Sequence, residues 1–262
     1  MPRPIITLTT DFGHADHYVG VMKGVILRIA PLAEIIDITH DLAPYEIGEA
    51  AFVVEQTYRY FPQKTIHLTV VDPGVGSSRR PLLVEAAGQY FVAPDNGVLT
   101  PVLKKEKHKA REITASKYFL NPVSRTFHGR DIFAPCAAHL ARGITPASFG
   151  KLIQDHMRMF MPEPTRTSKR VWTGSVLRID RFGNMITNFS IAEFNWVETR
   201  PFEMSVGMQQ VRRLALNYSE CAPGELFLIH GSSGYLEVSA SQTSAAKMVG
   251  CGVGAPLELS VW

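Results

Sequence analysis

The N-terminal half of the chain alternates between short apolar runs and stretches with helical spacing. This alternation constrains the fold more than any other feature. Residues 5–10 (IITLTT), 34–39 (EIIDIT) and 65–71 (TIHLTVV) are rich in β-branched side chains and read as strands. Between them, residues 18–30 carry Val21, Val25 and Ile29 at the spacing of one helical face, and residues 47–61 form a second helical stretch stopped by Pro62. Parallel strands need a crossover of a dozen or more residues, which a helix supplies, and strands covered on both faces lose polar alternation. The pattern predicts an α/β domain with a mostly parallel sheet. Two strands near residues 82–86 and 90–93 and a helix over 131–142 complete it.

The texture then changes. MPEPTRTSKR (161–170) combines two prolines with clustered charge, which suits a linker. Beyond it SVLRID, ELFLIH, YLEVS and LELSVW alternate or nearly alternate between Gly-containing turns, with no convincing long helix after residues 191–196. The expectation is an α/β domain over 1–162, a linker over 163–170 and a smaller antiparallel, β-barrel-like domain over 171–262.

Composition closes off several classes. A chain of 262 residues with 45% hydrophobic side chains has ample material for a core. A net charge of +3 spread along the chain gives no case for nucleic-acid binding. Three widely separated cysteines, Cys136, Cys221 and Cys251, make neither a disulfide framework nor a zinc knuckle. No run nears the ~18 apolar residues of a membrane span, and MPRPIITLTTDFG lacks the apolar core of a signal peptide. A cytoplasmic protein is expected.

Ligands of open parallel sheets sit beyond the carboxyl ends of the strands. Four polar, glycine-bearing loops fall at such ends: residues 9–16 (TTDFGHAD), 72–80 (DPGVGSSRR), 94–97 (PDNG) and 126–131 (TFHGRD). Each alone is ordinary turn chemistry. Together they predict a site on one sheet edge. GVGSS lacks the lysine of a phosphate-binding P-loop, no GxGxxG opens the first helix, and no GxSxG elbow presents a serine nucleophile. Asp11, His14, Asp16 and His17 are of the residue types that hold metals, but crowding in one loop equally describes a polar turn.

In order along the chain, TTDFGHADHYVGVMKG (9–24), IIDITHDLAPYEI (35–47), VVDPGVGSSRR (70–80), APDNGVLT (93–100), TFHGRDIFAPCAAHLA (126–141), IDRFGNMITN (179–188) and HGSSGYLEVS (230–239) resemble the S-adenosyl-L-methionine hydroxide adenosyltransferases. These hydrolases are related to the fluorinase and chlorinase halogenating enzymes. The resemblance spans nearly the whole chain. It implies an α/β domain followed by a β-barrel-like domain, a homotrimer with active sites between subunits, and cleavage of S-adenosyl-L-methionine (SAM) by water to adenosine and methionine, without metal or cofactor.

The resemblance further implies a water-activating set of Asp72, Arg79 and His128, with Arg80 as an alternative to Arg79. Attack falls on the ribose 5′ carbon and the leaving sulfur departs neutral, so the need at pH 7 is a better oxygen nucleophile. Histidine, with a free pKa of roughly 6.5, is a better base for this than aspartate. His128 is thus expected as the base, Asp72 as orienter and Arg79 as electrostatic holder of nascent hydroxide. Asp11 corresponds to the carboxylate that accepts from the ribose hydroxyls, with Asp16 a second candidate. Asp180 and Asn184 correspond to holders of the ammonium and the adenine edge, Phe182 to a wall of the base, and Ser232, Ser233 and Tyr235 to the segment closing over methionine and adenine. Asp180 could instead cap a turn. Ser233 stands where halogenating relatives have arginine, so the carboxylate partner stays open.

Hydrolase and halogenase differ at TFHGRD. Halogenating relatives have tyrosine in place of His128 and a halide-binding serine in place of Gly129, plus an extra loop for which residues 80–126 leave no room. Hydrolysis is expected. A non-catalytic SAM sensor and a metal-dependent phosphoesterase are the readings from other classes. His67 and His139 are expected to be structural.

Overall fold

The computed structural model describes residues 3–262 and divides into two compact units, the first ending at Met159 and the second running from Phe160 to Trp262. Both contain a sheet, and the chain is of mixed α/β class.

In the first unit seven strands, β1 (Ile5–Thr10), β2 (Glu34–Thr39), β3 (Ile66–Val70), β4 (Pro81–Ala86), β5 (Gln89–Pro94), β6 (His108–Glu112) and β7 (Leu152–Ile153), lie in the order β2-β1-β3-β5-β4-β6-β7. The expectation of a mostly parallel sheet holds for only half of it. β2, β1, β3 and β5 are parallel; β4, β6 and β7 join antiparallel. The reason is the link from β4 to β5. Only Ala87 and Gly88 separate them, at φ +53° and +73°, which is a tight hairpin and far too short for a crossover.

Helices cover both faces. α1 (Tyr18–Ile29) and α4 (Ala134–Ala141) pack with Ile6, Leu8, Leu68 and Val92 on one side. α2 (Ile47–Thr57) and α3 (Thr100–Lys105) pack with Val71, Phe91 and Ala93 on the other. On α1 the buried stripe is Val19, Met22 and Ile26; Val21, Val25 and Ile29 flank it half-buried. The helical period was legible, but its inward centre lies one residue from the expected stripe. α2 stops at Thr57 and gives way to a single 3-10 turn, because Phe61 must be extended before Pro62.

Helical structure begins at Gly129, not Asp131, and its first turn, Gly129–Phe133, is a π turn leading into α4. Pro135 explains it. Proline has no N–H to bond four residues back, so the Asp131 carbonyl is free to accept from Leu120 N at 2.9 Å.

The second unit holds β8 (Thr165–Arg166), β9 (Val171–Ile179), β10 (Met185–Ser190), β11 (Phe202–Val206), β12 (Gln209–Val211), β13 (Leu214–Ala215), β14 (Leu226–His230), β15 (Tyr235–Ala240) and β16 (Pro256–Val261). Their order is β12-β11-β16-β9-β10-β15-β14-β13, with β8 on β9. Every pairing is antiparallel except β13 with β14. Phe202, Met204 and Val206 alternate inward against Leu257, Leu259, Met185, Phe189, Leu236 and Val238. Among the described residues no helix is long and apolar enough to cross a membrane.

Candidate active site

A cleft of about 340 Å³ opens in the first unit at the carboxyl ends of β1 and β3. It is lined by Asp11 and Phe12, Tyr18, Pro44 and Tyr45, Asp72 and Val75, and residues 126–129. Three of the four expected loops meet there. The fourth, residues 94–97, does not line the cleft but supports it: Asn96 Nδ2 donates to the Val71 carbonyl at 2.9 Å, just before Asp72. The segment with Pro44 and Tyr45, which sequence reasoning did not count, takes its place.

Asp72, Arg79 and His128 form one connected chain. Arg79 Nε donates to both Asp72 oxygens at 2.8 and 2.9 Å, and Nη2 also reaches Oδ2. The same Nη2 lies 3.0 Å from His128 Nδ1. The Arg79 and Asp72 side chains are only 8% and 5% exposed, so the ion pair is shielded, and the guanidinium sits 5.0 Å over the Phe133 ring. Arg80 turns away, binding Asp95 Oδ2 at 2.8 Å and Asp155 Oδ1 at 2.9 Å, so Arg79 is the arginine of this set.

A guanidinium has no lone pair and only donates. Nδ1 of His128 must therefore accept, and the proton of the neutral ring belongs on Nε2. Burial and then the neighbouring Arg79 charge hold the His128 pKa below that of free histidine. The ring is neutral at pH 7, with its one lone pair turned toward Arg79. Gly76 makes the convergence possible. At φ +77° its backbone runs so close to the segment leading into the His128 loop that a Cβ would stand 2.2 Å from the Arg125 carbonyl oxygen.

Asp11 faces the same cleft, its Oδ2 accepting from Tyr45 N at 2.9 Å. Asp16 is exposed and lies outside the cleft lining. Nearby rings engage one another: His17 stacks on Tyr18 at 4.7 Å and His14 packs edge-on to His40 at 5.2 Å. Among the described residues no group of three or more His, Cys, Asp or Glu side chains is placed to hold a metal. Phe12, Tyr18 and Phe127 pack together at centroid distances of 5.1 to 5.9 Å, giving the cleft an aromatic wall. Sequence reasoning gave these aromatics no role, although Phe12 and Phe127 lie within polar loops it singled out and Tyr18 follows the first closely. His67, bonded to Thr7 and Gln89, and His139, against Tyr118, are packed within the fold.

The remaining expected residues lie in the second unit. Asp180 shapes a turn: Oδ1 accepts from Phe182 N at 2.9 Å and Asn184 N at 2.8 Å, and Oδ2 accepts from Asn184 Nδ2 at 2.9 Å. The turn-capping alternative is thus built into the fold, and Asn184 is spent largely on Asp180. Phe182, at the tip, is 79% exposed. Ser232 and Ser233 lie between β14 and β15, Tyr235 opens β15, and Ser233 Oγ is 3.4 Å from Glu237 Oε1. Glu237 was not foreseen. Burial and the charge of Asp180 raise its pKa.

Residues 6–150 match the family model described as the SAM hydroxide adenosyltransferase N-terminal domain, and residues 174–258 match its C-terminal domain. A Salinispora tropica protein named (R)-S-adenosyl-L-methionine hydrolase is 36% identical over 95% of both chains. A Methanocaldococcus jannaschii protein of the same name is 36% identical over 94% of this chain and 91% of its own. An Actinoplanes fluorinase is 28% identical over 82% of this chain and 79% of its own. The crystal structure of a conserved Thermotoga maritima protein superimposes with a TM-score of 0.91 at 36% identity, covering 97% of this chain and 99% of that one.

Proposed function

The chain belongs to the SAM hydroxide adenosyltransferase family and hydrolyses SAM, and we propose that it does so with a water activated between Arg79 and His128. The observation that carries this mechanism is the 3.0 Å contact from Arg79 Nη2 to His128 Nδ1. A donor and a lone pair facing each other are the two partners that one water satisfies at once, accepting from Nη2 and donating to Nδ1. The base role expected for His128 then has a condition: Nδ1 becomes available only when water replaces Arg79 against it.

The water oxygen bonds to C5′ as the C5′–S bond breaks, and the bonding pair returns to sulfur as methionine thioether. The water proton passes to Nδ1 and on to solvent. Arg79 stabilises the charge developing on oxygen, and Asp72 holds Arg79 in place. Asp11 keeps its Oδ1 for the ribose hydroxyls, and the aromatic wall excludes bulk water. Gly129 favours hydrolysis over halogenation. It carries no hydroxyl for a halide, and a Cβ there would already stand 3.2 Å from Met22 Sδ and from the Phe127 ring.

The scissile sulfur is already a sulfonium cation and leaves as a neutral thioether, so a Lewis acid has nothing to polarise, and the reaction needs neither metal nor cofactor. Relatives are named for the R epimer at sulfur, and the same preference is assigned here. Incubation with each epimer in EDTA, with products separated by chromatography, is expected to give adenosine and methionine from the R epimer. A 5′-halo nucleoside, or activity only after metal is restored, overturns this reading.

The protein works in the cytoplasm as a homotrimer, its second sheet closing toward a barrel. Asp180, Phe182, Asn184, Ser232, Ser233 and Tyr235 complete a neighbouring subunit's cleft. Mixing inactive Asp72→Ala and Asp180→Ala proteins under subunit exchange is then expected to restore part of the activity. No recovery after verified exchange places the site within one chain.

A further inference from the structure

We propose that His40 is a positioning residue for Asp11, acting through its hydrogen bonds to Thr10 and Gly13, with the Asp37 carboxylate and Lys23 as charged neighbours behind its Nε2. This rests on the reading of Asp11 as the holder of the ribose. His40 follows β2 directly and its side chain is completely buried. Lys23 Nζ lies 2.5 Å from Asp37 Oδ2, Asp37 Oδ1 lies 3.0 Å from His40 Nε2, and His40 Nδ1 lies 2.7 Å from Thr10 Oγ1. Thr10 Oγ1 in turn accepts from Phe12 N at 3.3 Å. The backbone adds a second tie, because the His40 carbonyl accepts from Gly13 N at 2.7 Å.

With one proton on the ring, the Asp37 carboxylate 3.0 Å away favours it on Nε2 by charge attraction, as an ion-pair contact without hydrogen-bond alignment. Nδ1 then accepts the Thr10 hydroxyl hydrogen, which turns a Thr10 lone pair toward Phe12 N–H. Asp11 lies between these attachments. The residue before it, the residue after it and the one beyond are all tied to His40, directly or through Thr10. The Asp11 carboxylate itself is bonded from Tyr45 N, five residues past His40. The imidazole reaches no cleft surface, yet it determines where the first carboxylate of the cleft stands. Removing the residue that holds a substrate-binding carboxylate in place is expected to cost about 10- to 100-fold, by analogy with the partners that orient metal ligands.

The test compares Asp11→Asn, His40→Asn, Asp37→Asn and the Asp11→Asn combinations, reading kcat and KM for SAM and the melting temperature. His40→Asn is expected to lower kcat/KM by about 10- to 100-fold, divided between kcat and KM as in Asp11→Asn. The double variant should be no worse than Asp11→Asn alone, since a positioner has nothing left to position. Asp37→Asn, half-exposed and safe for folding, should give a smaller loss with the same division. It serves the cycle if His40→Asn does not fold. Costs that multiply in the double variant overturn the positioning role while leaving Asp11 as ribose holder. A silent Asp11→Asn overturns both.

Discussion

His128→Ala is expected to bind SAM almost as tightly as the parent chain and to turn it over about 10² to 10⁴ times more slowly, the usual worth of a positioned base. The imidazole contacts Arg79 and the proposed water, not the bulk of the substrate. Calorimetry beside turnover separates the two effects, and equal losses of binding and rate would make His128 a substrate holder. The pH profile carries a second signature. Protonation fills the Nδ1 lone pair and sets one donor against another, so activity falls as pH drops through the His128 pKa. Burial and the Arg79 charge lower that pKa, so the acid limb belongs on the acid side of the free-histidine value of about 6.5 and is absent in His128→Ala. Asp72→Asn keeps the shape but weakens the hold on Arg79, and the rate should fall with the fold intact.

The largest expected effect on stability belongs to His67, far from any chemistry. It lies in β3, 3% exposed, stacked on Phe91 at 4.9 Å and bonded to Thr7 and Gln89. Burial pushes its pKa down to about 4 from 6.5. The unfolded chain takes up a proton as pH falls through about 6.5, while the folded chain resists until about 4. Folding is therefore favoured above that window and weakened within it. A gap of this size amounts to about 3 kcal/mol lost between pH 6.5 and 4. Denaturant unfolding across this range, parent against His67→Gln, should show the extra acid loss in the parent alone. Parallel pH curves for the two proteins would sink the idea.

Much of this architecture is legible in the chain because it is local. The apolar runs of β1 to β3 and the turn residues after them already place the cleft on one edge of the sheet. What was not legible depends on contacts distant in sequence. Arg79 and Arg80 are adjacent and chemically identical, and only the placement of His128, Asp95 and Asp155 tells them apart. Asp180 illustrates the reverse. Its turn chemistry was readable from IDRFGN, but a carboxylate that caps a turn and one that holds an ammonium share the same residues. The direction of β4 was readable in principle, since two residues cannot cross a sheet. The aromatic wall of Phe12, Tyr18 and Phe127 was hidden because each residue alone is an ordinary aromatic in or beside a polar loop, and only the fold brings the three rings together.

The π turn at Gly129–Phe133 has a consequence for how such a chain can diverge. A π turn holds one residue more than the α turn it replaces, and each residue of an α-helix advances the chain by about 100° around the axis. Deleting a residue between His128 and Pro135 would let the helix relax to regular winding, but it would rotate either the imidazole away from Arg79 or the apolar stripe of α4 away from the sheet. Descendants that keep the chemistry must keep the count as well as His128, Gly129 and Pro135, so drift in residue identity between Thr126 and Ala141 is confined to the other positions while the spacing stays fixed.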